Sequence, residues 1–282
     1  SYIRSLQIEE IEGNYLQAEH LIDEAVKVLG NSIAFELLST RLKILKGDYK
    51  DAKSTFSKLP ENAQKTVVGQ LIKGRLEMNE GDYKAALTTL QPQYYKAPST
   101  ELALLVFSSL SELKLHERVV DFTVEHLTSA PKDNKIRLLF ANYLLSNDAE
   151  AAIEQYRYLV NNADKDSPLV LNNLAWLLNK TGQPSEALNY IMKADNLVRN
   201  NPSILSTYGS VLSSLSEHDM AIEKSKSAYL LSNKNAEIGL AHFKVLMNGN
   251  KRAEAKKVIS EIVPVTVAQE KQIAQLMQQF QF

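Results

Sequence analysis

The chain has no cysteine among its 282 residues. It therefore cannot form a disulfide, a thiolate zinc site, an iron–sulfur cluster or a cysteine-based catalytic centre. It also lacks an excess of either charge, because 32 Lys and Arg residues are matched by 33 Asp and Glu residues. This balance argues against a general electrostatic attraction to nucleic acid or to an anionic membrane.

Long apolar runs and loop-forming residues are scarce as well. No stretch reaches the roughly 18 consecutive apolar residues of a membrane-spanning helix, so we expect this segment not to insert into a membrane. Ten glycines and eight prolines are too few for a loop-rich all-β protein, and 44% hydrophobic residues are too many for a disordered chain. The sequence begins at Ser1 without a leader pattern, and we expect it to be a piece of a longer protein.

A repeat of about 34 residues runs through the sequence. The segments 37–52 and 71–86, offset by 34, agree at eight positions. One position of each copy is an alanine, except that Val120 takes its place in the fourth copy: Ala18, Ala52, Ala86, Val120, Ala152, Ala187, Ala221 and Ala255. The copy centred on Ala152 is irregular, since it lies 32 residues after Val120 and 35 before Ala187.

Each copy predicts two helices joined by a short turn. In the clearest copy, Leu171, Leu174, Ala175 and Leu178 have the spacing of one helical face, and Gly182 interrupts the helix where a turn can need a positive φ. Three residues one period apart predict helix N-caps: Ser167, Asn201 and Asn235. Because a helix pair cannot bury its apolar face alone, the copies must stack into one continuous core.

These features resemble the tetratricopeptide repeat (TPR) family. Its pattern W-x2-L-G-x2-Y, A-x3-F and A corresponds here to Leu171-x2-Leu174-Ala175-x2-Leu178, Ala187-x3-Ile191 and Ala194. The resemblance implies an all-α, right-handed superhelical solenoid over residues 1–263, built of about eight helix–turn–helix units centred near 18, 52, 86, 120, 152, 187, 221 and 255. A further helix in 264–282 would cap the solenoid, with apolar residues such as Ile273 and Phe280 on one face and glutamines on its polar outer side.

Two prolines depart from the pattern. Pro60 and Pro92 fall within second helices, and a proline inside a helix removes a backbone hydrogen bond. We therefore expect both helices to end early, with an irregular connection over 91–100 into which Tyr94 and Tyr95 pack.

No arrangement of residues predicts chemistry. The five histidines form no close metal-ligand pair, and no phosphate-binding glycine loop or nucleophile elbow is present. A basic cluster at 251–257 is typical of a solvated face, so we expect no nucleic-acid partner. The sequence predicts a protein that is not an enzyme, needs no metal or cofactor, and acts by binding.

The resemblance also implies where a partner would bind. In TPR proteins the fifth and ninth positions of the first helix of each unit line the inner, concave surface. Those positions give the candidate partner-binding residues Leu37, Arg41, Leu71, Arg75, Leu105, Leu138, Asn142, Asn172, Trp176, Ser206 and Ser210.

Two features of this set suggest how a partner would be held. In the N-terminal half, a row of leucines beside Arg41 and Arg75 suits a peptide with an acidic residue, because a guanidinium binds a carboxylate with two hydrogen bonds. The alternative is that both arginines pair with carboxylates of the chain itself. Trp176, the only tryptophan, has the character of an interface anchor; the alternative is that it fills the seam between units.

A finer resemblance concerns 171–178 and 204–209. These segments look like the C-terminal repeats of large bacterial TPR proteins, including TPR lipoproteins linked to exopolysaccharide production and PEP-CTERM protein sorting. The likeness implies an extracytoplasmic or periplasmic setting with envelope proteins as partners, and a membrane anchor, if there is one, outside this chain; the cytoplasm is the alternative.

The predicted function is a protein-binding scaffold. The alternatives are a spacer or oligomerisation module, and the regulatory arm of a larger enzyme. The sequence leaves the oligomeric state open.

Overall fold

The computed structural model describes Glu9, residues 12–163 and residues 166–282. This part of the chain contains 17 α-helices and no β-strand, which confirms the predicted all-α fold class. In chain order the helices are α1 Tyr15–Leu29, α2 Ile33–Leu45, α3 Tyr49–Lys58, α4 Glu61–Gln64, α5 Val67–Asn79, α6 Tyr83–Lys96, α7 Thr100–Glu112, α8 His116–Ser129, α9 Asn134–Leu144, α10 Ala149–Asn162, α11 Pro168–Lys180, α12 Pro184–Leu197, α13 Pro202–Ser214, α14 His218–Leu231, α15 Ala236–Asn248, α16 Arg252–Glu261 and α17 Val267–Gln279.

The described residues form two compact units, and the division falls within α9. Unit 1 ends at Ile136, and unit 2 begins at Arg137. Within each unit, helices contact mainly the helices that precede and follow them in the chain. One apolar cluster of unit 1 includes Phe56 and Ile72, and one of unit 2 includes Phe243 and Ile273. Each unit is therefore a stack of helix pairs, as expected for a repeat protein.

The small repeat residues lie where helices approach closely. All seven alanines of the predicted series are fully buried: Ala18, Ala52, Ala86, Ala152, Ala187, Ala221 and Ala255. The assignment of Val120 to this series was wrong, because Val120 is 36% exposed and its neighbour Val119 is fully buried. The inward position in this copy is therefore Val119, which lies 33 residues after Ala86 and 33 residues before Ala152.

The turns inside the pairs explain the recurring glycines. Gly47, Gly81 and Gly182 have φ angles of 86°, 78° and 81°, a region that costs a residue with a Cβ about 1–2 kcal/mol. In other copies Lys114 and Ser216 hold the same turn with φ angles of 57° and 66°. The turn geometry therefore persists where glycine is missing.

The helix starts follow the predicted caps. The Ser167 hydroxyl accepts a hydrogen bond from the Val170 N–H, and the side chain of Asn201 accepts from the N–H groups of Ser203 and Ile204. Asn235 does the same for the first turn of α15. These contacts satisfy backbone donors that a helix leaves unpaired at its start.

The two prolines behave differently from each other. Pro60 follows α3, which ends at Lys58 as predicted. The prediction for Pro92 was wrong, because α6 continues through it to Lys96 and the Ala97 N–H donates to the Gln93 carbonyl. Leu90 and Tyr94, on either side of Pro92, are both buried, and this packing outweighs the backbone hydrogen bond that a proline removes.

The connection after α6 is correspondingly short. It covers residues 97–99 rather than 91–100. Tyr94 packs inward from the last turn of α6, whereas Tyr95 is 54% exposed. None of the described helices is long and apolar enough to cross a membrane.

Candidate partner-binding groove

Unit 2 has a groove along α11, α13 and α15, each of which is the first helix of a helix pair. The terminal helix α17 lies at one end of this groove. The groove consists of two hollows, a first of about 490 Å³ and a second of about 520 Å³. Both hollows are lined by Trp176, Ser210, Glu237 and Ala241. We refer to the two together as the unit 2 groove.

Trp176 lies in the groove because of the pattern of α11. Leu171, Leu174, Ala175 and Leu178 are completely buried and fix the inward face of this helix. Trp176 lies off that face, and its side chain is 42% exposed, so it does not fill a buried seam. Lys180, one turn later, places its ammonium 4.9 Å from the centroid of the Trp176 ring, a distance at which a cation is attracted to an aromatic face.

Neutral polar side chains form most of the lining. The amides are Asn172, Asn173, Asn179, Asn235, Asn248, Gln269 and Gln272. The hydroxyls are Ser146, Ser203, Ser206, Thr207, Ser210, Ser213 and Ser214. Such groups present hydrogen-bond donors and acceptors without net charge.

Two amides of α11 have unused hydrogen-bonding capacity. The Oδ1 atoms of Asn172 and Asn179 are buried and have no hydrogen-bond partner in the described parts of the chain. Asn172 lines the second hollow and Asn179 the first. A buried acceptor without a partner costs about 1–3 kcal/mol, so a ligand that donates to it gains affinity.

Asn142 is held differently from the other candidate residues of unit 2. Its Oδ1 accepts a 2.5 Å hydrogen bond from the Tyr156 hydroxyl, to which the Asn173 amide also donates at 3.2 Å. Tyr156 is fully buried; burial raises its pKa, although the hydrogen bond with Asn173 acts in the other direction. Asn142 therefore orders the helices beside the groove and does not line either hollow.

The charged side chains of the groove lie on α15. Glu237 lines both hollows, and Lys244, two turns later, lines the first. Neither forms an ion pair with the described residues. The groove thus has one charge of each sign and no excess of either.

The N-terminal candidate residues are arranged otherwise than expected. Leu37, Leu71 and Leu105 are buried, with at most 9% exposure, and Leu138 is half-buried, so no exposed apolar row exists. Leu37, for example, belongs to the apolar cluster of unit 1 that includes Phe56 and Ile72.

Arg41 and Arg75 pair with the chain itself. Both guanidinium groups reach Glu101, with Nη2 to carboxylate oxygen distances of 3.4 Å for Arg41 and 2.9 Å for Arg75. This is the alternative arrangement that the sequence allowed. A partner's carboxylate would therefore have to displace Glu101 in order to bind Arg41 and Arg75.

Unit 1 also contains a buried polar network. The Tyr94 hydroxyl lies 2.9 Å from His126 Nδ1, and His126 Nε2 lies 3.0 Å from Asp133 Oδ2. The Thr100 hydroxyl donates to the same carboxylate oxygen at 2.6 Å. Burial acts to raise the pKa of Asp133, but the hydrogen bonds from Thr100, the Ile136 N–H and His126 outweigh it and hold that pKa below its ordinary value.

This network connects α6, α7 and α8. Across the described residues, no group of three or more His, Asp and Glu side chains is placed to hold a metal ion.

Comparisons with known proteins bear on the fold. No protein-family model and no curated protein matches the sequence. Among solved structures, Cut9 in the APC/C hetero-tetramer Cut9–Hcn1 is similar at a TM-score of 0.58 and 13% identity, over 97% of this chain and 55% of Cut9. The chain thus spans about half the length of that protein.

Two shorter proteins are similar over most of their own length. PilW, titled a widely conserved type IV pilus biogenesis factor, has a TM-score of 0.56 at 13% identity, over 70% of this chain and 92% of PilW. A tetratricopeptide repeat protein from Parabacteroides merdae has a TM-score of 0.50 at 15% identity, over 87% of this chain and 97% of that protein. The chain has a tetratricopeptide-repeat fold.

Several residues of the groove were not predicted from the sequence, among them Glu237, Gln269 and Gln272. Glu237 lies near the start of α15, outside the fifth and ninth positions that the resemblance assigns to the inner surface. Gln269 and Gln272 belong to α17, for which a polar outer side was expected; instead they line the first hollow. The sequence showed that these glutamines lie off the apolar face of α17, but it did not show which helices they would face.

Proposed function

We propose that this TPR chain is a non-catalytic scaffold that binds an extended segment of a partner protein in the unit 2 groove. The observation that carries the proposal is the half-exposed Trp176 between two hollows lined by amides and hydroxyls. Exposed tryptophans are frequent anchors of protein interfaces. The solenoid then serves to hold this groove rigid and to present it to an assembly.

The lining suits a main chain better than a set of charged side chains. Each residue of an extended segment offers one N–H donor and one C=O acceptor, and amide side chains complement both. Asn172, Ser206 and Ser210 supply such groups near Trp176. We assign partner binding to these four residues.

The candidate residues of unit 1 have a smaller part in this proposal. Leu37, Leu71 and Leu105 are packed inside the unit. Arg41 and Arg75 would accept an acidic side chain only in exchange for Glu101, and such an exchange gains little free energy near the surface. An acidic partner segment is therefore not the form of ligand that we favour.

The setting that we propose is a bacterial envelope system for assembly, export or polysaccharide production. It rests on the likeness of segments 171–178 and 204–209 to the repeats of TPR lipoproteins associated with exopolysaccharide production and PEP-CTERM sorting. Fractionation of the native host, with detection of the full-length protein, tests this setting; recovery in the cytoplasm alone would contradict it.

The groove is tested by capture of partners from the native host with the tagged full-length protein. Trp176→Ala removes the anchor, and Met192→Ala is its matched control, because Met192 is 45% exposed in the same unit but does not line the groove. Circular dichroism checks that each variant is folded. We expect specific partners to be lost with Trp176→Ala and kept with Met192→Ala.

Equal capture by both variants would refute the groove. In that case the chain acts through its ends or its outer face, as a spacer or oligomerisation module would.

A further inference from the structure

A further cavity of unit 2, separate from the groove, lies on the other side of α15. It has a volume of about 320 Å³ and is walled by α14, α15, α16 and the turn at Lys234. Its lining residues on α15 are His242 and Leu246, whereas the unit 2 groove uses Lys244 and Asn248 of the same helix. We call this cavity the back pocket.

The back pocket contains a buried hydroxyl without a partner. Tyr229 is only 4% exposed, and its hydroxyl has no hydrogen-bond partner among the described residues. Burial raises the pKa of Tyr229, Lys234 lowers it and Glu261 raises it, so the hydroxyl keeps its proton and is a donor at neutral pH. The position of the ring depends on Gly239, because a Cβ at that residue would lie 2.9 Å from the ring edge of Tyr229.

A second buried polar side chain stands beside Tyr229. The rings of His242 and Tyr229 have centroids 5.8 Å apart, and His242 is 4% exposed. The Ser225 hydroxyl lies 2.8 Å from His242 Nδ1, which leaves Nε2 as the ring nitrogen available to a ligand. Burial lowers the pKa of His242 to about 4, so the imidazole is neutral at neutral pH. It presents Nε2–H when Ser225 donates to Nδ1, and Nε2 is an acceptor when the Ser225 hydroxyl donates instead to the Ile222 carbonyl, 3.2 Å away.

The charged residues of the back pocket favour an anion. Its lining includes three lysines and two glutamates, a net charge of +1. Lys234 is paired with Glu261 at 2.7 Å, while Lys226, Lys257 and Glu254 form no ion pair with the described residues, which leaves two positive charges and one negative charge unpaired. The remaining walls are the apolar side chains Leu230, Leu246 and Val258.

From this arrangement we propose that the back pocket binds a carboxylate, which accepts a hydrogen bond from the Tyr229 hydroxyl and lies near Lys226 and Lys257. The carboxylate satisfies the buried donor, and its charge meets the unpaired ammonium groups at the mouth. The apolar walls accommodate a short hydrocarbon part of the ligand. This site is independent of the unit 2 groove and would give the scaffold a second ligand.

The carboxylate can belong to a free organic acid or to an acidic side chain of a protein, and the experiment separates the two. Isothermal titration calorimetry is carried out with benzoate and glutarate as free acids, with benzamide and glutaramide as their neutral counterparts, and with N-acetylglutamate N-methylamide as a side chain in a peptide context. We expect at least one acid to bind and its amide to bind about tenfold more weakly or not at all, because a hydrogen bond to a charged group is the stronger one. Whether the free acids or the capped glutamate binds more tightly identifies the source.

Variants locate the site. Tyr229→Phe removes only the hydroxyl and should weaken acid binding about tenfold, which corresponds to about 1.4 kcal/mol. Lys257→Gln, at an exposed position of the mouth, should weaken it as well and serves if the buried variant is poorly folded. Tyr208→Phe in the same unit and Trp176→Ala in the groove are controls that should leave binding unchanged.

Three results would overturn the proposal: no binding of any acid at concentrations up to about 10 mM, equal binding of acids and amides, or unchanged acid affinity in both the Tyr229 and the Lys257 variants.

Discussion

Removal of one buried hydroxyl provides a sharp test of the packing in unit 1. Tyr94 is 3% exposed, and its hydroxyl lies 2.9 Å from His126 Nδ1. Tyr94→Phe keeps the ring, which packs edge-on against Phe122 at a centroid distance of 4.9 Å. The substitution therefore deletes one hydrogen bond and leaves a buried ring nitrogen without its partner.

The expected cost follows from that geometry. A buried polar group left unpaired costs about 1–3 kcal/mol, while the retained ring adds no cavity. We expect the free energy of unfolding to fall by about 2 kcal/mol. With a urea m-value of about 2 kcal/mol/M, the unfolding midpoint would move down by about 1 M.

The measurement is urea unfolding followed by far-UV circular dichroism, with Tyr95→Phe as the matched control. Tyr95 is the next residue and is 54% exposed, and its hydroxyl is 3.3 Å from Glu125. Loss of that contact should change the free energy of unfolding by no more than about 0.5 kcal/mol. If the two variants lose equal stability, the hydrogen bond to His126 contributes nothing and our account of the network is wrong.

Four further substitutions test other parts of the structure. The pKa of Asp133 is held below its ordinary value, so its ionised form adds stability above the unfolded-state pKa, and this stability is lost as the pH falls through the folded-state pKa. Asp133→Asn should therefore reduce the loss of stability at acid pH, which urea unfolding at a series of pH values measures. Pro92→Ala should stabilise the chain by about 1–3 kcal/mol in the same assay, because the exposed proline leaves the Thr88 carbonyl without a helical donor; no gain would mean that α6 is already broken there. Ser216→Gly should raise the free energy of unfolding by about 1 kcal/mol, because glycine adopts a φ of 66° without strain, whereas Gly182→Ala should lower it by a similar amount. A change of the same sign in both variants would contradict the inference that these turns require a positive φ.

The helix pairs could be predicted because their signals are local. A cap such as Ser167, a glycine such as Gly182 and an apolar face such as 171–178 are each complete within one repeat. Pro92 was misjudged for the same reason, because the competing effect is the burial of Leu90 and Tyr94 against other helices. Local propensity is a weak guide wherever tertiary packing acts against it.

The site was harder to predict because its contacts join distant residues. Trp176 could be expected on the inner side of α11 only because the resemblance to TPR proteins implies that role for the ninth position of a first helix. The pairing of Arg41 and Arg75 with Glu101 bridges 60 and 26 residues of sequence, and no spacing rule connects them. The hydrogen bond between Tyr94 and His126 spans 32 residues and was missed for the same reason.

The terminal helix α17 has a consequence for how the groove behaves in time. It contributes Gln269 and Gln272 to the first hollow, yet Ile273 is its one buried residue. Segments with few buried contacts open more often than the rest of a fold, and their amides exchange with solvent faster. The backbone amide hydrogens of α17 should therefore exchange with solvent faster than those of α11. A ligand that contacts both helices should slow the amide exchange of α17 most.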